Sequence, residues 1–297
     1  MTVGTHARRV RVHVTGAAST AVRPVLESPR RPARVLAAFS AGIYLEVRTE
    51  LEPSVIAVIS GEGIRLPNSL LLAAELPHVT VGDEAFAGDG SVEVGRLSLR
   101  VRRWWDPAPA LGEVDPRKLA SLCLAGVGPR EPASLCLTGE AQGAPGLAGH
   151  DAVELLAASC ASGWLLGAVT AAERLVGLGP GLTPSGDDVL AGLLVTLRHL
   201  GTATGVERAV RLGGWLAAAV TFDARTRTTP LSATLLHCAA RGEACPEVIA
   251  VLRGLAGRQP LEPALRRLHS LGHTSGADLA QGIAIGLDAV LALGDPR

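Results

Sequence analysis

The sequence predicts an α+β protein, with a small β-barrel or sandwich-like domain over residues 1–112 followed by an all-α helical domain over residues 113–297. Three observations predict it. Short runs of alternating apolar residues, punctuated by Gly, Pro and Asp, fill the first hundred positions. A Pro-rich strip follows Trp104 and Trp105, and beyond it apolar residues recur at helical spacing between regular glycine stops.

Taken in order, Val10, Val12 and Val14 alternate with Arg11 and His13, the pattern of a half-buried strand. Val35–Phe39 and Ile43–Val47 are parted by Ala41 and Gly42, and Val55–Ile59 is an apolar run closed by Gly61 and Gly63. Val92–Val94 and Leu97–Val101 flank Gly95 and Arg96, a tight-hairpin signal. Leu70–Leu76 reads as a helical turn interrupting these strands. The two adjacent tryptophans are read as packing residues that seal one domain against the next, and Asp106–Gly112 is the expected boundary.

After Pro116 the spacing turns helical. A short helix is expected over Lys118–Leu124, and Gly126–Gly149 is too rich in Gly and Pro to assign. One long helix is expected from an Asp151 cap to about Val176, then helices from Ser185 to Leu200, Val206 to Val220, Leu231 to Arg241, Pro246 to Leu255, Pro263 to Leu268 and Ala277 to Leu293. Leu155–Ala172 carries no formal charge over 18 residues, the length of a membrane span. Its Ala, Gly, Ser and Thr content, with Glu154 and Glu173 at the edges, marks it instead as a buried helix of a bundle.

Hydrophobic residues make up 47% of the chain and charged residues 19%, a globular composition. Lys+Arg and Asp+Glu balance at 28 each, so nothing global points to nucleic acid or a membrane surface as partner. The five cysteines, Cys123, Cys136, Cys160, Cys238 and Cys245, form no CxxC pair or metal spacing. Together with the lack of a signal-peptide pattern, they imply reduced thiols and a cytoplasmic location.

The stretch most charged with chemistry is GLGPGLTPSGDDVLAG, residues 177–192. Gly179 and Gly181 flank Pro180, and Thr183 and Ser185 flank Pro184, so a helix starts only at about Ser185. Ser185 with Asp188 resembles a capping box, which is one reading. The other is a floor for a small ligand, because a glycine loop at a helix start presents unpaired N–H groups, here beside the hydroxyls of Thr183 and Ser185 and the carboxylates Asp187 and Asp188. The second part of this stretch, residues 183–192, aligns without gaps on residues 273–282. Ser185, Gly186, Asp188 and Gly192 correspond to Ser275, Gly276, Asp278 and Gly282, all 90 positions apart. Two helix starts that converge, packed through Gly192 and Gly282, are therefore expected; the bland alternative is two independent caps. Between them lies RTRTTPLS, residues 225–232, where Arg225 and Arg227 offer forked donors and Thr228, Thr229 and Ser232 offer hydroxyls for a third wall. Asp223 stands ready to orient either arginine. The Asp187–Asp188 pair also admits a Mg²⁺ reading, although adjacent helical residues point about 100° apart, which disfavours one shared ion.

The order GLGPGLTPSGDD, RTTPLSATLL, GHTSGADLAQGIAIGL resembles the family that includes AllH, the third subunit of oxamate carbamoyltransferase. The resemblance is strong over the C-terminal half, and in the first hundred residues it rests on Tyr44-Leu-Glu and Leu66-Pro-Asn-Ser69. It implies a role in ureide or purine nitrogen use: oxalurate plus phosphate giving oxamate and carbamoyl phosphate, with companion subunits and no obligatory cofactor. It further implies that the N–H groups from Gly179 to Asp187, with Thr183 and Ser185, hold an oxyanion or phosphate. Arg225 and Arg227 would take phosphate or a carboxylate, and Asp187, Asp188 and Asp278 a carbamoyl NH₂. His273 and Asp188 are the candidate catalytic groups. Two other readings stay open, a non-catalytic ligand-binding or scaffolding subunit and a stand-alone sensor of a small metabolite.

Overall fold

The computed structural model describes residues 11–124, 137 and 145–295, in two compact units, residues 1–106 and 107–297. The first unit is a closed eight-stranded barrel. Its strands are β1 Val12–Ser19, β2 Arg31–Phe39, β3 Gly42–Val47, β4 Val55–Ile59, β5 Ser69–Leu72, β6 Glu84–Gly88, β7 Ser91–Val94 and β8 Leu97–Trp105. Around the barrel they run β1-β5-β4-β3-β2-β6-β7-β8, antiparallel except for the β4–β5 and β1–β8 pairs. The expected strands around Ala41–Gly42 and the hairpin at Gly95–Arg96 are present as β2–β3 and β7–β8.

The expected helical turn at Leu70–Leu76 is a strand at its start. β5 lies between β1 and β4 and closes the barrel. Leu70 and Leu72 are buried in the barrel core while Leu71 faces out, a period of two hidden because all three residues are leucine. The barrel is plugged by a single helical turn after β1, continuing as α1 Arg23–Leu26, where the Ser19 side chain accepts from the Ala21 N–H and buries Val22, Val25 and Leu26. At the far end of β8, Trp104 packs against the same core, with the Arg23 guanidinium 4.7 Å from its ring centroid.

The second unit is helical: α2 Pro116–Leu124, α3 Asp151–Ser162, α4 Leu165–Leu175, α5 Ser185–Thr204, α6 Glu207–Phe222, α7 Ala224–Arg227, α8 Pro230–Ala240, α9 Pro246–Leu255, α10 Leu261–His269 and α11 Ser275–Gly294. Most of the Gly126–Gly149 stretch lies outside the described residues. The single long helix expected from Asp151 to Val176 is two helices. Gly163, at φ 74°, closes α3 in a left-handed turn and lets the chain reverse into α4, and His150 rather than Asp151 is the N-cap residue. The longest helices, α5 and α11, pack side by side through the middle of the unit. α11 is long and apolar enough to cross a membrane by length and composition, and 72% of that stretch is buried inside the protein, as befits a core helix. Cys160, Cys238 and Cys245 are buried thiols outside any disulfide, and burial raises the thiols of Cys160 and Cys245 to about 12.

Candidate functional site

The two Ser-Gly-x-Asp stretches start the two central helices, and the helices cross where the glycines predict. A Cβ added to Gly282 would collide with the Val189 carbonyl oxygen and lie 2.9 Å from the Leu193 nitrogen. A Cβ on Gly192 would meet the Leu279 carbonyl oxygen and come within 3.1 Å of the Ile283 nitrogen. The contact is reciprocal, each glycine facing the partner helix one turn before the other glycine. From the crossing back to each helix start is seven residues, about 10 Å at 1.5 Å per residue, so both starts lie close to one another.

Each start is also built alike. The Leu178 N–H donates to the Leu175 oxygen (3.0 Å) and the Gly186 N–H to the Leu178 oxygen (2.9 Å); in the second copy Leu271 donates to Leu268 and Gly276 to Leu271, both at 3.0 Å. Neither serine is a cap. The N-cap positions are Pro184 and Thr274, with no side-chain cap hydrogen bond at either, so Ser185 and Ser275 are the first helical residues. The capping-box reading of Ser185 and Asp188 therefore fails, and both hydroxyls turn to the seam between the helices. The Thr183 and Ser275 hydroxyls pair across it at 3.2 Å.

Three carboxyl groups sit in these first turns, all buried, with exposures of 2% for Asp187, 7% for Asp188 and 0% for Asp278. They do different things. Asp187 is a hub: its Oδ1 accepts from the Gly177 N–H (2.8 Å), and its Oδ2 from the Ser232 hydroxyl (2.6 Å) and the Thr228 hydroxyl. Thr229 caps α8 through the Ser232 N–H (3.1 Å) and donates its hydroxyl to the Leu182 oxygen (2.5 Å). The expected third wall is thus tied to the glycine loop through its hydroxyl residues. Its arginines are on the exposed side of α7, and Arg227 spends its guanidinium on the Glu173 carbonyl oxygen, with Asp223 at 3.7 Å. Both oxygens of Asp187 accept from protein donors. Gly179 and Gly181 are exposed in the loop, and His273 is exposed ahead of α11.

Asp188 and Asp278 each keep one buried oxygen, Oδ2, without a hydrogen-bond partner. The other Asp278 oxygen accepts from the Gly146 N–H at 2.7 Å. Gly146 is the residue the sequence did not disclose. A methyl group there would overlap the Ser185 hydroxyl and lie 3.5 Å from Asp278 Oδ2, so Ser185, Asp278 and the Pro145–Gly149 turn meet at one point. Asp188 is pushed up from 3.8 to about 8, foremost by burial and further by the charges of Asp278 and Asp187, against hydrogen bonds from Ser275 and Thr183. The folded chain then holds a proton that the unfolded chain releases. The stability this confers is fully present below about pH 3.8 and is lost as pH rises toward 8. Asp188→Asn removes the titration, so its stability relative to wild type is expected to improve from pH 5 to pH 8, by at most about 1.4 kcal/mol per pH unit. Urea unfolding at the two pH values checks this, and a constant difference would refute it.

A cleft of about 570 Å³ opens elsewhere, beside the C-terminal half of α5, lined by Leu111, Glu113, Arg198, His199, Thr202 and Arg241, and contains none of the motif residues. The chain is therefore an α+β protein, a barrel followed by a helical unit whose central pair of helices brings two matched polar starts together. Residues 175–287 match the family of the oxamate carbamoyltransferase subunit AllH, so over this stretch the chain is AllH-like, as its motifs imply. No solved structure matches the chain.

Proposed function

We propose that this protein is a carbamoyltransferase subunit that holds a small carbamoyl-bearing compound at the seam between α5 and α11, and that it works with companion subunits in the cytoplasm. The reaction is transfer of the carbamoyl group of oxalurate to phosphate, leaving oxamate and carbamoyl phosphate. The observation that carries this reading is the convergence of two matched helix starts, with Thr183, Ser185, Asp188, Ser275 and Asp278 gathered on one seam inside the family-matched stretch. Such a transfer passes through a tetrahedral oxyanion, which fixed hydroxyls stabilise without reorganising. The seam is braced from behind by Asp187, Thr228 and Ser232, and a braced site loses little entropy when a ligand is ordered in it. Arg225 and Arg227, on the exposed strip, are the groups proposed to receive the phosphate or the carboxylate.

The test is carbamoyl phosphate formation from oxalurate and phosphate, with the purified chain alone and then with its companion subunits. Formation in the full complex, reduced at least tenfold by Thr183→Val, is the expected result. No product under either condition would overturn the assignment.

A further inference from the structure

We infer that Asp188 and Asp278 act as a donor–acceptor pair that reads a planar –CO–NH– group, the Asp188 hydroxyl donating to the ligand carbonyl oxygen and the Asp278 carboxylate accepting its N–H. The inference rests on the reading of the α5–α11 seam as a ligand site and names the chemistry that faces it.

Free N–H groups at a helix start ordinarily invite an anion. Here the chain's own acids, Asp187 and Asp188 on α5 and Asp278 on α11, already occupy both first turns. A ligand carboxylate seated permanently in the seam would sit against them in a buried setting, where like charges repel strongly. What the seam lacks is the opposite. Two carboxyl oxygens, one from each helix, are buried without partners, and an unpaired buried polar atom costs free energy until something bonds to it.

The pair is complementary to an amide because Asp188 keeps its proton while Asp278 presents an acceptor oxygen. A carboxylic acid offers one O–H donor and a carboxylate offers only acceptors, so together they match a carbonyl oxygen beside an N–H. Two buried carboxyl groups within reach of each other do not ionise together easily. Burial and the neighbouring charges keep the proton on Asp188 to about pH 8. The chain supplies its own precedent, since the Gly146 backbone amide N–H already donates to the other oxygen of Asp278 at 2.7 Å. In this arrangement any anionic end of the ligand lies outside the seam, toward the exposed glycine loop and Arg strip.

The experiment measures binding of oxamate and of oxalate to the purified full-length chain by calorimetry at pH 7 and pH 9. The two compounds share a skeleton and differ in the amide. Oxamate is expected to bind at least tenfold more tightly at pH 7 and to lose at least tenfold at pH 9, where Asp188 gives up its proton. Asp188→Asn, whose amide keeps a donor and does not titrate, is expected to bind oxamate equally at both pH values. Equal affinity for oxamate and oxalate, or a variant that follows the wild-type pH dependence, overturns the donor–acceptor pair while leaving the seam as a site. If neither compound binds, the seam itself is not the ligand site and both readings fall.

Discussion

Gly282→Val is expected to lower the melting temperature of the helical unit by about 6–12 °C, the shift that about 3 kcal/mol produces in a unit of this size. Overpacking usually costs about 1–3 kcal/mol because neighbouring side chains yield. At this crossing they are not the obstacle. The first atom met is the Val189 backbone oxygen, with the Leu193 nitrogen 2.9 Å away, and both belong to the interior of a hydrogen-bonded helix. Relief requires moving α5 and α11 apart along their whole contact, which exposes core leucines of both. Gly192→Val collides with Leu279 on the other helix and is expected to act alike. Thermal unfolding followed at 222 nm decides the matter; a melting point within about 2 °C of wild type would show that the helices do not rest on these glycines.

Asp187→Ala is expected to cost about 3–5 kcal/mol. The carboxylate accepts three hydrogen bonds, from the Gly177 N–H and from the hydroxyls of Thr228 and Ser232. Bonds to a charged acceptor contribute about 1.5–3 kcal/mol each, and donors left buried without an acceptor add their own penalty. Asp187 joins three separate stretches, so its loss should also loosen the glycine loop from α8. Denaturant unfolding measures the first effect, and limited proteolysis between residues 177 and 184 reports the second. A fully stable variant with an uncleaved loop would mean that Asp187 is an ordinary exposed-type acid, contrary to its 2% exposure.

Much of this was legible in the sequence, and what was not has physical causes. The crossing through Gly192 and Gly282 followed from a repeat with a fixed offset, because a glycine at one face of an apolar helix leaves room for a neighbouring backbone. The barrel strands that alternate, such as β2 and β3, were readable for the same kind of reason. β5 was not, because a run of three leucines carries no alternation, and β6 was not, because its inward residues are Ala85 and Ala87, too weakly apolar to mark a face. In the candidate site, residue types pointed to Thr183, Ser185, Asp188, Ser275 and Asp278 as one cluster but not to their different partners. Asp187 and Asp188 are adjacent and chemically identical. One has both oxygens engaged, in part by donors from 41 and 45 positions away, and the other keeps an unpartnered oxygen, a difference that only the tertiary structure creates. Gly146 was unreadable because its contribution is a backbone N–H, which any residue but proline supplies.

The two helix starts are anchored alike, yet the first reaches Gly186 from Leu178 by a path three residues longer than the one from Leu271 to Gly276. A seat with perfect twofold likeness would accept an unsymmetrical molecule equally well in two flipped orientations, only one of them productive. The extra residues, with their glycines and Thr183, stand on one side of the seam alone. If the seam is the proposed ligand seat, they remove that degeneracy and give it a front and a back.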